Sequence, residues 1–416
     1  MHTLILLLMA LPVMAQPGTL RAGAARMDIT PAAGAALPMS GYGSRVEGHK
    51  AIHDNLYVRA LVLDDGARQA VVVSFDLLFV TDEMWNTMAG RIAQESGIAR
   101  DAILLAGTHT HGGPALGRVK PEFEVRWKPW REMMETRTLE AVRQARAALL
   151  PARFGIGRGK AYANTNRRAR MANGGWGLGV NPQGVSDKTL AVVKFETLQA
   201  RPIALLINYG VHGTVMGPRN YDITGDLPGA ASRYVEEQIG DGVVAPWTSA
   251  ASGDQNAIYG PGSDFRQMEI LGRMVGEEVV RVAAGIRTSP RVRIAAMQKV
   301  ITCPGRKMTP ESNTSQNKIA FVDADPVDIR LSLLKLNHIA LAGVSGEVLT
   351  PIGQRLQHES PLANTLMTTH TNGSSGYIPD DDAYHQVSYE IWVTRAKPGC
   401  AESAIVNGFL DMIDQM

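Results

Sequence analysis

The sequence predicts an α/β protein: a mixed, largely parallel β-sheet core flanked by helices, with its chemistry at the C-terminal ends of strands. Three observations lead there. Short continuous apolar runs recur at 69–75, 102–106, 190–195, 203–209 and 339–344, each closed by glycine or polar residues, which is the pattern of buried strands. Stretches with helical apolar spacing lie at 82–96 and 131–149. The order strand, helix, strand over 69–106 is the one that makes parallel neighbours.

Taken in order, the chain opens with MHTLILLLMALPVMA, which reads as an export signal. Its apolar stretch 3–11 is too short to span a bilayer. Val13 and Ala15 supply the small residues for cleavage before Gln16. The competing reading is a buried N-terminal strand. Export places the mature chain, 16–416, in the periplasm or outside the cell, and no later stretch resembles a transmembrane segment. Strand candidates follow at 20–29, 56–63 and 69–75, the last two joined by the hairpin turn Asp64-Asp65-Gly66. The helix 82–96 has Met84, Met88 and Ile92 on one face and Gly97 past its end. The run 102–106 then ends in Gly107-Thr108-His109-Thr110-His111-Gly112-Gly113-Pro114. In extended chain, residues two apart project to one face, so both imidazoles are expected on one side of a strand end.

The helix 131–149 stops at Pro151, and 154–161 reads as a strand. Segment 164–182 reads as a loop by composition, its arginines as a solvated face. Strands at 190–195 and 203–209 lead into Gly210-Val211-His212-Gly213, again a histidine beside glycine past an apolar run. Asp226 caps the helix 230–238 or faces a site. A strand at 243–248, a polar loop 251–256, a surface helix 262–282 and strands at 292–301 and 329–336 follow. The run 339–344 ends at Ser345-Gly346-Glu347; a carboxylate there needs a metal or an arginine beside it. The helix 351–358, a strand 366–369, a Gly/Ser loop with Tyr377, three solvated aspartates, Tyr384, Tyr389 and the helix 404–413 complete the chain. There is no internal repeat and no linker marking a second domain.

Charge excludes some functions. Lys and Arg total 42 against 40 Asp and Glu, for a net charge of +2, so no field or basic stripe argues for nucleic acid or anionic membrane. Of the 2 cysteines, Cys303 and Cys400, the sequence leaves open whether they pair. No Gly-x-Ser-x-Gly elbow follows a strand, against a serine hydrolase. Two histidines and one carboxylate are a common catalytic zinc set with a position left for water.

The segments THTHGGP, NYGVHG, SGEVLTPIGQRL and SGYIPDDDAYHQVSYE, in this order, resemble the catalytic domain of neutral (alkaline, non-lysosomal) ceramidases. The likeness runs from RAGAARMDITP to the Tyr389-Glu390 pair and includes NTNRRA with Asp187 after it. It implies an exported zinc amidase that cuts ceramide into sphingosine and a fatty acid. It implies zinc ligands His109, His212, Glu347 and Tyr377, an acid/base His111, an oxyanion-stabilising Tyr389 and a substrate-lining Arg167. Asn166, Asp254 and Asn256 would bind substrate. The zinc would acidify water and polarise the carbonyl, and His111 would pass the proton to the leaving amine. There are three departures. The chain stops soon after the tyrosine loop, without the family's C-terminal immunoglobulin-like domain. The loop Gly253-Asp254-Gln255-Asn256 has Asn256 where the family has a serine. Exposed apolar segments for lipid contact are not evident. The expected function is therefore hydrolysis of a linear amide, in ceramide or another small or lipid-like N-acyl compound. The alternatives are a zinc hydrolase of an unrelated ester, peptide or acylated sugar, or a silent binding protein of the same fold.

Overall fold

The structure is a computed structural model and describes residues 18–117, 119–262, 264–313 and 319–416. The expected signal at 1–15 lies outside the described residues.

An eight-stranded sheet forms the centre, in the order Trp247–Ser249, Pro202–Tyr209, Thr189–Thr197, Leu150–Lys160, Arg21–Asp28, Tyr57–Asp64, Gln69–Phe75, Ile103–Gly107. The expectation of a largely parallel core is corrected: five of the seven pairings are antiparallel. Tight connections cause this, such as the 64–66 turn with Gly66 at φ 86°, because a short turn returns the chain antiparallel. Only the two edge pairs are parallel, Val71–Phe75 beside Ile103–Gly107 and Ile207–Tyr209 beside Trp247–Ser249.

The two edges approach one another. Ser74 Oγ donates to the Trp247 carbonyl at 2.6 Å, and Thr110 bridges to Gly213. A four-stranded sheet, Ile294–Met308, Phe321–Leu336, Ile339–Val344 and Asn364–Thr368, packs alongside, and its last pair is also parallel. His109, His212, Glu347 and Tyr377 all follow strands of these parallel pairs. The four expected metal ligands thus all lie past the C-terminal ends of strands, inside a mainly antiparallel molecule.

Among the described residues, three large buried apolar clusters support the frame: one under the 82–96 and 121–147 helices, one under 226–239 and 265–284, and one between the second sheet and the 401–414 helix. Helix Asp82–Ser96 has Thr81 as N-cap, and Gly97 closes it as expected, in the left-handed region at φ 75°. Helix Pro121–Ala147 begins well before the expected 131 and carries Pro129 inside it. Phe123, Trp127 and Trp130 are buried, and the indole N–H groups of Trp127 and Trp130 donate to the Ala115 and Ile29 carbonyls, which holds this first half helical.

Segment 164–182 is not a loop. It forms strands Asn164–Arg170 and Trp176–Asn181, in a three-stranded sheet with Gln255–Ala257. Nor are its arginines all solvated: Arg167 and Arg168 are buried, and Arg168 donates to Ser388 Oγ and the Ala383 and Gln386 carbonyls. Of the three aspartates, Asp380 is buried and caps a short helix through the Ala383 N–H. Cys303 and Cys400 form a disulfide just beyond the tyrosine loop.

Candidate metal centre and active site

His109 stands two residues past the Ile103–Gly107 strand, with a left-handed backbone at φ 66°. Its Nδ1 faces the Leu78 carbonyl at 2.8 Å. His212, three residues past Pro202–Tyr209, turns its Nδ1 to the Ser252 and Gln255 carbonyls, each at 2.9 Å. A ring nitrogen facing only carbonyl oxygens carries the proton, so both rings present Nε2 as a lone pair. Arg167 Nη1 donates to His212 Nε2 at 2.8 Å, which agrees with that tautomer.

Both Nε2 atoms face one oxygen. Glu347 Oε1 lies 2.7 Å from His212 Nε2 and 3.3 Å from His109 Nε2, and this buried atom makes no hydrogen bond. Two nitrogen lone pairs aimed at a carboxylate oxygen repel unless a cation joins them, and imidazole with carboxylate is a zinc-type donor set. Tyr377 enters through a parallel pairing of Glu347 with Tyr377, and its hydroxyl is 3.5 Å from His212 Nε2. The residues therefore fit a divalent metal.

Electrostatics agree. Burial, then the Arg167 charge and His109, push His212 down to about 4. Burial, then His109 and His212, hold His111 well below its ordinary value. Neutral imidazoles are ligands and bases rather than cations. Burial raises both Tyr377 and Tyr389, so each keeps its O–H to donate.

A cavity of about 600 Å³ opens onto this cluster, and His109, His111, Arg167, Glu347, Tyr377 and Tyr389 all line it. His111 Nε2 is 3.5 Å from His109 Nε2, while its Nδ1 has no partner. Gly41, at φ 97°, lies against that ring: a Cβ there would sit 2.3 Å from Nδ1. Arg167 is held by Glu390 at 2.8 Å and donates to the Tyr377 hydroxyl at 2.9 Å. Its charge survives burial because Tyr377, Glu390 and Glu347 surround it.

Of the three expected substrate contacts, only Asn256 lines the cavity. Asn166 and Asp254 lie behind it. Asn166 Nδ2 donates to Asp254 Oδ2 at 3.1 Å, and Asp254 Oδ1 accepts from the Thr350 N–H and hydroxyl at 3.0 and 2.6 Å. They brace the Arg167 strand and the 350–359 helix, because both are too deeply packed to reach a ligand. Asp226 turns away from the cavity to accept the Val215 and Met216 N–H groups. Sequence reasoning passed over His370, which lines the cavity; its signal was there, a histidine just past an apolar strand like His109 and His212.

Residues 20–266 match the family described as neutral/alkaline non-lysosomal ceramidase, N-terminal. The chain belongs to that family. It is 28% identical over 255 residues to neutral ceramidase A of Dictyostelium discoideum, covering 55% of this chain and 34% of that protein. It is 27% identical over 278 residues to the neutral ceramidase of Pseudomonas aeruginosa, covering 62% of this chain and 40% of that one. The matched region thus spans well under half the length of these relatives. The fold is shared with a solved structure described as ceramidase complexed with C2 and with the crystal structure of the Pseudomonas aeruginosa neutral ceramidase. Each has a TM-score of 0.79 and 19% identity over 96% of this chain, covering 75% and 74% of those chains. Among the described residues, no helix is long and apolar enough to cross a membrane.

Proposed function

We propose that this chain is an exported zinc-dependent hydrolase of a linear amide, in ceramide or another N-acyl compound. The observation that carries the reading is the convergence of His109 Nε2, His212 Nε2 and the unpartnered Glu347 Oε1 beside a cavity lined by His109, Glu347, His111 and two phenols. These three residues and Tyr377 would hold the zinc. When bound, zinc supplies Lewis acidity, acidifying water and polarising the amide carbonyl.

The chain's own residues do the rest. His111, neutral and lining the cavity, takes the proton of the attacking water and delivers it to the amide nitrogen as the C–N bond breaks. The products are a carboxylate and a free amine. The Tyr389 hydroxyl donates toward the developing oxyanion, and Arg167 adds fixed positive charge beside it. Leu78, Phe79 and Leu178 give the cavity apolar wall for an acyl chain. Asn256, which also lines the cavity, favours substrates other than ceramide as a second reading, because it places an amide donor and acceptor where the family carries a hydroxyl.

An assay panel tests this. Zinc-loaded and chelator-treated protein would be offered N-acyl sphingoid bases, N-acyl amino acids and esters. Release of free amine from an N-acyl substrate, lost on chelation and restored by zinc, is expected. Zinc binding without cleavage of any substrate would leave a binding protein instead. Export rests on the 1–15 segment, and N-terminal sequencing of the secreted protein beginning at Gln16 is the expected result.

A further inference from the structure

His370 has a place in this site that the ligand set does not explain. It is 3% exposed and holds a left-handed backbone at φ 56°, uncommon for a residue with a Cβ. Its main chain joins the two ligand-bearing loops: the His370 N–H donates to the Gly346 carbonyl at 3.1 Å, and the Gly107 N–H donates to the His370 carbonyl at 3.2 Å. Gly346 precedes Glu347, and Gly107 lies two residues before His109. Its ring stacks flat on the His109 ring, with centroids 3.9 Å apart and planes 9° from parallel.

That stack decides between two roles. His109, Glu347 and His370 have donor atoms within 4.8 Å of one another, so His370 is close enough to be considered a ligand. Imidazole binds a metal in the plane of its ring, and two rings stacked in parallel keep their lone pairs in separate parallel planes. They do not converge on one ion. His109 is itself at φ 66°, with only the Leu78 carbonyl holding its far nitrogen, so the flat face of His370 fixes the remaining freedom, the tilt of the ring.

We infer that His370 is a positioning residue for the metal: its backbone joins the His109 and Glu347 loops, and its ring holds His109 at the angle at which Nε2 meets the ion. This rests on the metal reading above. The supports of a metal ligand tune affinity by about 10- to 100-fold.

The test uses the full chain with zinc and cobalt. Zinc affinity is measured by chelator competition, and ligand geometry by the visible absorption of the cobalt-loaded protein. His370→Asn keeps a residue tolerant of the left-handed backbone but removes the stack; His370→Phe keeps an aromatic face without a donor nitrogen. Expected is a 10- to 100-fold loss of zinc affinity and a shifted cobalt spectrum for His370→Asn, with His370→Phe recovering most of both. Wild-type affinity and spectrum in His370→Asn would overturn the inference. So would a His370→Phe variant as poor as His370→Asn, since the nitrogen itself would then be needed. Absence of metal from wild type would fail the parent reading, a different result from either. Circular dichroism and thermal melting of the zinc-free variants separate misfolding from lost positioning.

Discussion

At the scale of single residues, His109, His212 and Glu347 are each fixed through the part that does not face the cluster's centre. His109 and His212 spend their Nδ1 protons on carbonyls, and Glu347 is set by backbone pairing with Tyr377. His212→Ala should cost at least 100-fold in zinc affinity by chelator titration; retained zinc would remove His212 from the ligand set. His111→Ala should keep the metal and lose about 10²- to 10⁴-fold in kcat, the usual span of a lost general acid/base, and unchanged kinetics would refute that role. Tyr389→Phe should lower kcat by about 10- to 10³-fold with KM little changed if its hydroxyl meets the oxyanion. A change in KM alone would instead make it a binding contact. His109, His111, His212 and Glu347 stand out in the sequence because polar residues just past apolar runs are visible against them. The second layer does not stand out. Asn166 and Asp254 were expected to touch substrate, yet their atoms are spent on one another and on Thr350, a difference that only packing reveals.

At the scale of elements, buried strands and amphipathic helices were legible because one face of each is continuous and apolar. The run 69–75 and the helix 82–96 fall where periodicity puts them. The polar strands Asn164–Arg170 and Trp176–Asn181 were not legible, since their buried side chains are arginines and asparagines satisfied by distant carbonyls and hydroxyls. The start of the 121–147 helix was hidden by Pro129, although Phe123, Trp127 and Trp130 before and after it keep helical spacing. The tyrosine loop is tethered at its far end by Cys400, bonded to Cys303 across 97 residues. Closing a loop of that length in the unfolded chain is worth about 3–5 kcal/mol. Cys400→Ser should therefore lower the urea midpoint substantially, and an unchanged midpoint would show that the tether contributes little.

At the scale of the whole molecule, strand direction was the feature least accessible to sequence. Apolar runs look alike in parallel and antiparallel neighbours, and the tight turns that make this sheet mostly antiparallel are scattered between them. The parallel pairs survive at the edges and in the second sheet, where they bring the ends of distant segments to one place. An ion binding there stabilises only the folded chain, in which those segments meet. Chelation should lower the melting temperature and added zinc should restore it in proportion to the logarithm of its concentration. A melting temperature indifferent to both would argue against a site built by folding. The most direct measurement is anomalous diffraction at the zinc edge from crystals grown with zinc. The account predicts one strong peak within about 2.0–2.3 Å of His109 Nε2, His212 Nε2 and a Glu347 oxygen, beside the Tyr377 hydroxyl. A map with no peak among these residues, or with its peak elsewhere, would contradict it.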